Sequence, residues 1–227
     1  ATGYFPALYS RVTTRIADGI AAGRFEDGPR MERLAATFAS YYVRAFRREI
    51  PRPRCWQASW DVCGDRSLLI VQHLLLGINA HVNHDLPLAV VDVAHAQGDL
   101  ASVRADFLAV NHVLAEAYTD VLRDLDRVSR WTNEVAALGG GRMFNFSLRV
   151  ARDQAWAAAG RLFPLDAEGA AAYKAELDRL VSVLAYLVTR PAFPLRLVVP
   201  LGRLLEERDA RKVAAALLGR AEDGQPA

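Results

Sequence analysis

The feature that most constrains the fold is a series of segments with apolar residues at helical spacing, each bounded by glycine or proline. "LYSRVTTRIADGIAAG" stops at Gly23, and "GPRMERLAATFASYYVRAFRREIPRP" begins with Pro29 and is closed by Pro51 and Pro53. Comparable patterns run over about 66–96, 99–141, 143–163, 166–190 and 201–220. Two neighbouring strand patterns joined by a hairpin turn are not found. The sequence therefore predicts an all-α fold, a bundle of about seven helices with one or two long ones.

The predicted helices form a single domain over residues 1–220, and the remaining segments are predicted to connect or follow them. "CWQASWDVCGD" is expected to be an aromatic connector, and "RPAFPLRLVVP", with three prolines, an irregular crossing. The tail over residues 221–227 is expected to be flexible.

Composition and charge exclude several classes of protein. A formal net charge of +2 with scattered arginines is too small for a nucleic-acid footprint, so we expect no nucleic-acid binding. No apolar run reaches the roughly 18 residues of a membrane span, so no membrane association is expected. Cys55 and Cys63 lack metal-knuckle or CxxC spacing and are predicted to be reduced thiols, which favours a cytoplasmic location. The sequence leaves homo-oligomerisation open.

The stretch "HLLLGINAHVNHDLPLAV" carries many polar groups for a segment apolar enough to be buried. On a helix of about 100° per residue, one polar arc holds His73, His84, Gly77, His81 and Asp85. A second arc on almost the opposite side holds Gln72, Asn79 and Asn83. Because an unpaired buried polar group costs on the order of 1–3 kcal/mol, these side chains must all find partners.

Two irregularities fall in the same stretch. Gly77 costs about 1 kcal/mol relative to alanine inside a helix, which predicts that another group approaches the backbone there. Pro87 would clash with the carbonyl of Asn83 in a regular helix, which predicts a kink or loosening beside His81 and Asp85. Such local inconsistencies are more typical of functional sites than of plain cores.

His81 and Asp85 lie four residues apart and therefore share a helix face. They are candidate catalytic residues as a carboxylate-oriented base, or ligands of a divalent metal. A purely structural hydrogen bond in the core is the alternative. His73 is a further catalytic candidate, and Asn79 and Asn83 are candidates for binding the substrate.

A second helical pair, His112 and Glu116, could complete a four-ligand metal site if it faced the first. The alternative is a half-exposed histidine beside a solvated glutamate. No cofactor is certain from the sequence, and a divalent metal is the one considered.

The segment "NFSLRVARDQAW" places an amide, guanidinium groups, a carboxylate and an aromatic ring at steps of three and four residues. Asn145, Arg152 and Trp156 are candidate substrate-binding residues, and Asp153 is a candidate catalytic residue. Alternatively, Arg149 and Asp153 form a simple intrahelical ion pair.

"HLLLGINAHVNHDL", "NFSLRVARDQAW" and "FEDGPRMERLAATFASYYVRAF" together resemble a bacterial family of domains of unknown function, number 5995, found largely in actinobacteria. The resemblance covers most of the chain and implies no particular chemistry. The residues that match its motifs are His73, Asn79, His81, Asp85, Asn145, Arg152, Asp153 and Trp156. Asn111 matches the pattern better than His112 beside it. Locally, His81-x-x-x-Asp85 is also similar to a zinc-ligand helix of the phospholipase C and S1/P1 nuclease group, whose other histidines this chain lacks.

The sequence leaves three functional hypotheses. The first is a small-molecule enzyme that uses His–Asp acid–base chemistry, with or without a metal, for hydrolysis, elimination or cyclisation of a largely hydrophobic substrate. The second is a protein that binds a small molecule without turnover. The third is a helical interaction protein whose buried polar network fixes the helix register. The absence of a GxSxG motif and of a phosphate-binding loop argues against acyl-enzyme and nucleotide chemistry.

Overall fold

The computed structural model describes residues 1–129, 141–191, 193 and 195–220, with the side chains at 118–119, 141–146 and 195–198 outside the description, and this part of the chain is helical without a strand. The helices are α1 Tyr4–Ala21, α2 Gly28–Phe46, α3 Arg54–Asp61, α4 Ile70–Ala80, α5 Leu86–Gln97, α6 Arg104–Asp126, α7 Gly141–Leu162, α8 Ala167–Thr189, α9 Leu195–Leu204 and α10 Ala210–Leu217. A π-helical turn, His81–Asp85, joins α4 to α5, and a 3₁₀ turn, Ala101–Val103, precedes α6. None of the described helices is both long and apolar enough to cross a membrane. The all-α prediction is confirmed.

The end of α1 and the start of α2 are set by a glycine, a proline and a capping aspartate. Asp27 accepts a hydrogen bond from the backbone N–H of Arg30 at 2.8 Å, and Pro29 occupies the first turn of α2. Gly23 follows α1 with φ at 66°, a left-handed conformation that glycine adopts without strain. The end of α1 and the start of α2 agree with the sequence prediction, whereas α2 ends at Phe46, before the prolines at 51 and 53 that were expected to close it.

Two segments expected to be connectors are helical. The "CWQASWD" stretch forms α3, because Cys55 and Trp56 pack into the core on one face while Asp178 accepts the N–H groups at its start. Leu195–Leu204 forms α9 with Pro200 inside it. These two helices, together with the division of the predicted 66–96 helix into α4 and α5, account for the ten helices in the described residues where seven were predicted.

The long helix expected over 99–141 is also shorter than predicted. Its helical part ends at Asp126, and Ser129 pairs instead with Glu206 in an isolated bridge. Residues 130–140 and the tail over 221–227, together with the predictions made for them, lie outside the described residues.

The continuous α4, π-turn and α5 segment occupies the centre of the structure. Its C-terminal half packs with α2, α6 and α7 around Val90, Val103 and Phe107. Its N-terminal half packs with α1 and α10 around Leu74 and Val213. Because this segment is covered from several sides, its polar residues are held among other helices rather than in solvent.

Candidate functional site

The π-helical turn gives the polar stretch its local geometry. The N–H of Leu86 bonds to the carbonyl of His81, five residues back, so the helix widens by one residue. Pro87 follows Leu86 and has no N–H, so it cannot donate the next backbone hydrogen bond of an α-helix. The predicted loosening beside His81 and Asp85 is thus confirmed, and single π-turns of this kind are frequent at functional sites.

Asp85 is the centre of the polar cluster. Its Oδ2 accepts from Trp56 Nε1 at 2.9 Å and is 3.0 Å from His81 Nδ1. Its Oδ1 is 2.8 Å from His84 Nδ1. The carboxylate has no exposure to solvent, yet three N–H groups satisfy it, which is how a buried charge is tolerated.

The protonation of this cluster is set by burial and hydrogen bonding. Burial opposes ionisation of Asp85, but the hydrogen bonds from His81 and His84 outweigh it and keep the pKa of Asp85 below its ordinary value. Burial lowers the pKa of His81 below its ordinary value, against the opposing effect of Asp85. At neutral pH an ionised Asp85 therefore accepts from the Nδ1–H of a neutral His81, and the proton-free nitrogen of that ring is Nε2.

Aromatic side chains from two helices enclose the His81 ring. Phe38 stacks on it with ring centroids 3.6 Å apart, and Tyr9 and Phe5 meet it edge-on at 4.6 and 5.4 Å. The Nε2 atom is buried and has no hydrogen-bond partner among the described residues. An imidazole with one nitrogen tied to a carboxylate and the other unpartnered is the arrangement of a general base.

His81 also lines a cavity of about 180 Å³. The wall is formed by side chains of α1, α2, α4, the π-turn, α5, α6 and α7, and it is almost wholly apolar. Among the described side chains, the polar ones in the wall are those of Tyr9, Thr13, His81 and Arg152. Large apolar cavities with a few polar groups are the usual form of small-molecule sites.

At Gly77 the side chain of Phe5, a residue of the cavity wall, approaches the central helix closely. A Cβ at this position would lie 2.5 Å from Cγ of Phe5 and 2.7 Å from its Cβ. The prediction that another group approaches the backbone at Gly77 is confirmed. The glycine lets Phe5 reach the ring of His81.

Arg152 is a cationic residue of the cavity wall. Its Nε donates to Asn111 Oδ1 at 2.7 Å, its Nη2 donates to the carbonyl of Phe107 at 2.5 Å, and its guanidinium lies over the Phe107 ring. Burial lowers the pKa of Arg152 to about 10. The side chain is thus fixed by α6, and Asn111, which fitted the family pattern better than His112, is one of its partners.

Asp153 and Trp156, the other described candidate residues on α7, are not part of the cavity wall. Asp153 is exposed, so the structure does not bring it to His81. Trp156 packs against Phe107 in the core with ring centroids 5.0 Å apart. The side chain of Asn145 lies outside the description.

The second polar arc faces α8. Gln72 Nε2 donates to the carbonyl of Val188 at 2.7 Å, and Asn79 Nδ2 donates to the carbonyl of Val181 at 2.9 Å. Asn83 donates to Asn79 Oδ1. These amides fasten two helices to each other and are not part of the cavity wall.

His73 is separated from the His81 cluster. Its Nε2 lies 3.2 Å from the carbonyl of Asp65, its ring meets Tyr4 edge-on, and burial lowers its pKa. The structure gives His73 no contact with the cavity around His81.

The structure does not bring together the four residues of the candidate metal site. His112 and Glu116 are exposed, and Glu116 forms a bidentate ion pair with Arg24 at 2.6 and 2.7 Å instead of facing the first pair. His81 Nδ1 and Asp85 Oδ2 bond to each other rather than converging on a common ion. As ligands these two residues would need to break the hydrogen bonds that satisfy Asp85.

Sequence reasoning missed three residues beside Asp85. Trp56 and Cys55 come from α3 and Asp178 from α8, and neither helix is near the π-turn in sequence. One ligand atom from each of Cys55, His84 and Asp178 lies within 4.8 Å of the others. The dense aromatic "CWQASW" was a signal for burial, but no spacing rule relates it to Asp85.

Of the comparisons with known proteins, the one with family models gives a match. The model of a family of unknown function, DUF5995, matches residues 1–191, and the chain belongs to this family. No curated protein and no solved structure matches the chain. The resemblance inferred from the sequence motifs is therefore confirmed.

Proposed function

We propose that this member of DUF5995 is a small-molecule enzyme in which His81 transfers a proton to or from a largely hydrophobic substrate. Asp85 holds His81 in the tautomer that leaves Nε2 free and stabilises the ring when it takes a proton. The observation that carries the proposal is the unpartnered, buried Nε2 of a carboxylate-bound histidine in the wall of an apolar cavity.

The surroundings of His81 favour reversible proton transfer. Asp85 is a buried anion with no arginine or lysine ion pair among the described residues, so a proton arriving on His81 converts it into a neutralised pair. Hydrolysis, elimination and cyclisation all include such a step. Since Nε2 is itself buried, substrate must displace wall side chains such as Tyr9 or Phe38 to reach it.

The cavity limits the substrate to a compact apolar molecule. An engineered apolar cavity of about 150 Å³ accommodates benzene, so about 180 Å³ suits a molecule with one substituted ring or a comparable chain. No metal is required by this proposal, although a divalent ion elsewhere in the protein is compatible with it. A cytoplasmic location belongs to the proposal because both cysteines of the chain are free thiols.

A ligand-binding protein without turnover is the second candidate. The observation that favours it is that Arg152 already donates from Nε and Nη2 to Asn111 and Phe107, which leaves fewer of its N–H groups for a bound molecule. An enzyme that stabilises a developing negative charge needs a donor free for the transition state. In this alternative Nε2 of His81 only accepts a hydrogen bond from the ligand.

The test is a turnover panel with one compound class for each reaction type. Small aryl esters, β-hydroxy ketones and unsaturated alcohols are incubated with the protein, and products are followed by mass spectrometry. We expect turnover by the wild type and a loss of about 10²–10⁴-fold in His81→Gln, because glutamine can still bond to Asp85 but is not a base. His95→Gln is the matched control, since His95 lies near a helix end and bonds to Phe163 away from the cavity.

A parallel binding measurement separates the two candidates. Phenol can donate to Nε2 and benzene cannot, so phenol should raise the melting temperature more than benzene does. Phenol binding without turnover of any class favours the binding protein. Equal turnover in the wild type and His81→Gln rules out the acid–base role.

A further inference from the structure

A second cluster contains His84, which bonds to the oxygen of Asp85 that His81 does not contact. It joins Cys55 of α3, His84 of the π-turn and Asp178 of α8, whose ligand atoms all lie within 4.8 Å of one another. Cys55 is fully buried and His84 nearly so. We propose that these three side chains bind one zinc ion, with a water molecule as the fourth ligand.

The donor set suits zinc. Thiolate sulfur, imidazole nitrogen and carboxylate oxygen are its usual protein ligands, and three of them with one open position is a common arrangement. Bonds of about 2.0–2.3 Å around a tetrahedral ion place neighbouring ligand atoms about 3.3–3.8 Å apart. Side-chain shifts of about 1 Å therefore bring the present spacing to that of a zinc site.

One nitrogen of His84 is bonded to a carboxylate, as is usual for histidines that bind metals. Its Nδ1 bonds to Asp85 Oδ1 at 2.8 Å, so the nitrogen left for an ion is Nε2. Metal-binding histidines almost always give their other nitrogen to a carboxylate or carbonyl in this way. Asp85 therefore bonds to His84 through Oδ1 and to His81 through Oδ2.

The charges around the cluster also favour a cation. Asp178 and Asp85 form no ion pair with an arginine or lysine among the described residues, although both lie close enough to Cys55 to act on its thiol. Zinc binding releases the thiol proton to solvent, and a thiolate with one carboxylate then balances the charge of Zn²⁺. Asp178 already accepts the N–H groups of Arg54 and Cys55 at 2.9 Å, which fixes its carboxylate beside the thiol.

The experiment uses the full chain without a histidine tag, stripped with a chelator and titrated with Co²⁺ as a spectroscopic substitute for Zn²⁺. We expect one equivalent to bind with the ultraviolet charge-transfer band of a thiolate–cobalt bond, and Zn²⁺ to displace it. Cys55→Ser should lose this band, whereas Cys63→Ser should keep it, since Cys63 bonds to the carbonyl of Ser59 outside the cluster. Asp178→Asn should weaken zinc binding by at least about 10-fold.

The measurement on the wild type alone can overturn the proposal, so it does not depend on variants that fold. Absence of Co²⁺ binding, or binding without a thiolate band, refutes the site. Retention of the band in Cys55→Ser, with its fold verified by circular dichroism, also refutes it. His81→Gln should bind Zn²⁺ as the wild type does, so failure of the zinc site and failure of the proposed acid–base function are distinguished.

Discussion

Replacing Gly77 with alanine tests the packing that brings Phe5 onto His81. The added Cβ would lie 2.5, 2.6 and 2.7 Å from three atoms of Phe5, closer than real Cβ contacts. Phe5 cannot easily move away, because it packs on Tyr42 and Trp56 at 5.4 and 5.3 Å between ring centroids. The substitution must therefore displace a side chain or the helix itself.

The magnitude is the balance of two opposing effects. Overpacking of this severity costs about 3 kcal/mol, near the top of its usual range. Replacing a helical glycine by alanine stabilises the helix by about 1 kcal/mol. The free energy of unfolding should therefore fall by about 2 kcal/mol. For a chain of this size that lowers the melting temperature by about 4–8 °C.

The assay is thermal and urea unfolding followed by circular dichroism, with Gly160→Ala as the matched control. Gly160 lies on α7, and among the described residues a Cβ there would meet only Leu100, at 4.0 Å, so this change should stabilise the protein by up to about 1 kcal/mol. Adding Gly77→Ala to Phe5→Leu should cost less than adding it to the wild type, because the smaller side chain relieves the contact. A Gly77→Ala protein as stable as the wild type would refute the reasoning.

Two further predictions concern buried charges. Asp106→Ala should lower the free energy of unfolding, measured by urea denaturation, by about 3–5 kcal/mol. The substitution removes the buried carboxylate that lies 2.6 Å from Nη2 of the buried Arg30. Glu176→Ala, which breaks an exposed pair with Arg179, should change little, and equal effects of the two would contradict the assignment. The folded-state pKa of His81 is lowered by burial, so below pH 6.5 the unfolded chain takes up protons that the folded chain does not. Stability should therefore fall as pH drops from about 6.5 towards the folded pKa, with at most about 1.4 kcal/mol per pH unit from this group. Melting temperatures from pH 8 to 5 should decline less steeply in His81→Gln than in the wild type, and an equal slope would exclude this cause.

Helix prediction from the sequence failed where helices are short or interrupted. α3 has eight residues and depends on Asp178, a distant residue, to accept its first N–H groups. Its aromatic composition gave no helical spacing to recognise, because tertiary packing rather than local propensity stabilises so short a helix. The end of α6 at Asp126 is followed by a long-range contact, the pairing of Ser129 with Glu206. No local sequence pattern predicts this contact.

The sequence by itself determined that the chain is helical, that the helix at residues 81–85 is irregular, and that His81 and Asp85 share one helix face. Each of these depends on spacing within one segment, through the periodicity of apolar residues, the missing N–H of Pro87 and the four-residue interval. Only the tertiary structure decided which polar groups face which helix. It divided the single polar arc into His81 beside the cavity and His84 beside Cys55, and it assigned Asn79 to α8. The physical reason is that the partners of a buried side chain are chosen by how helices distant in sequence pack, and no local pattern records that packing.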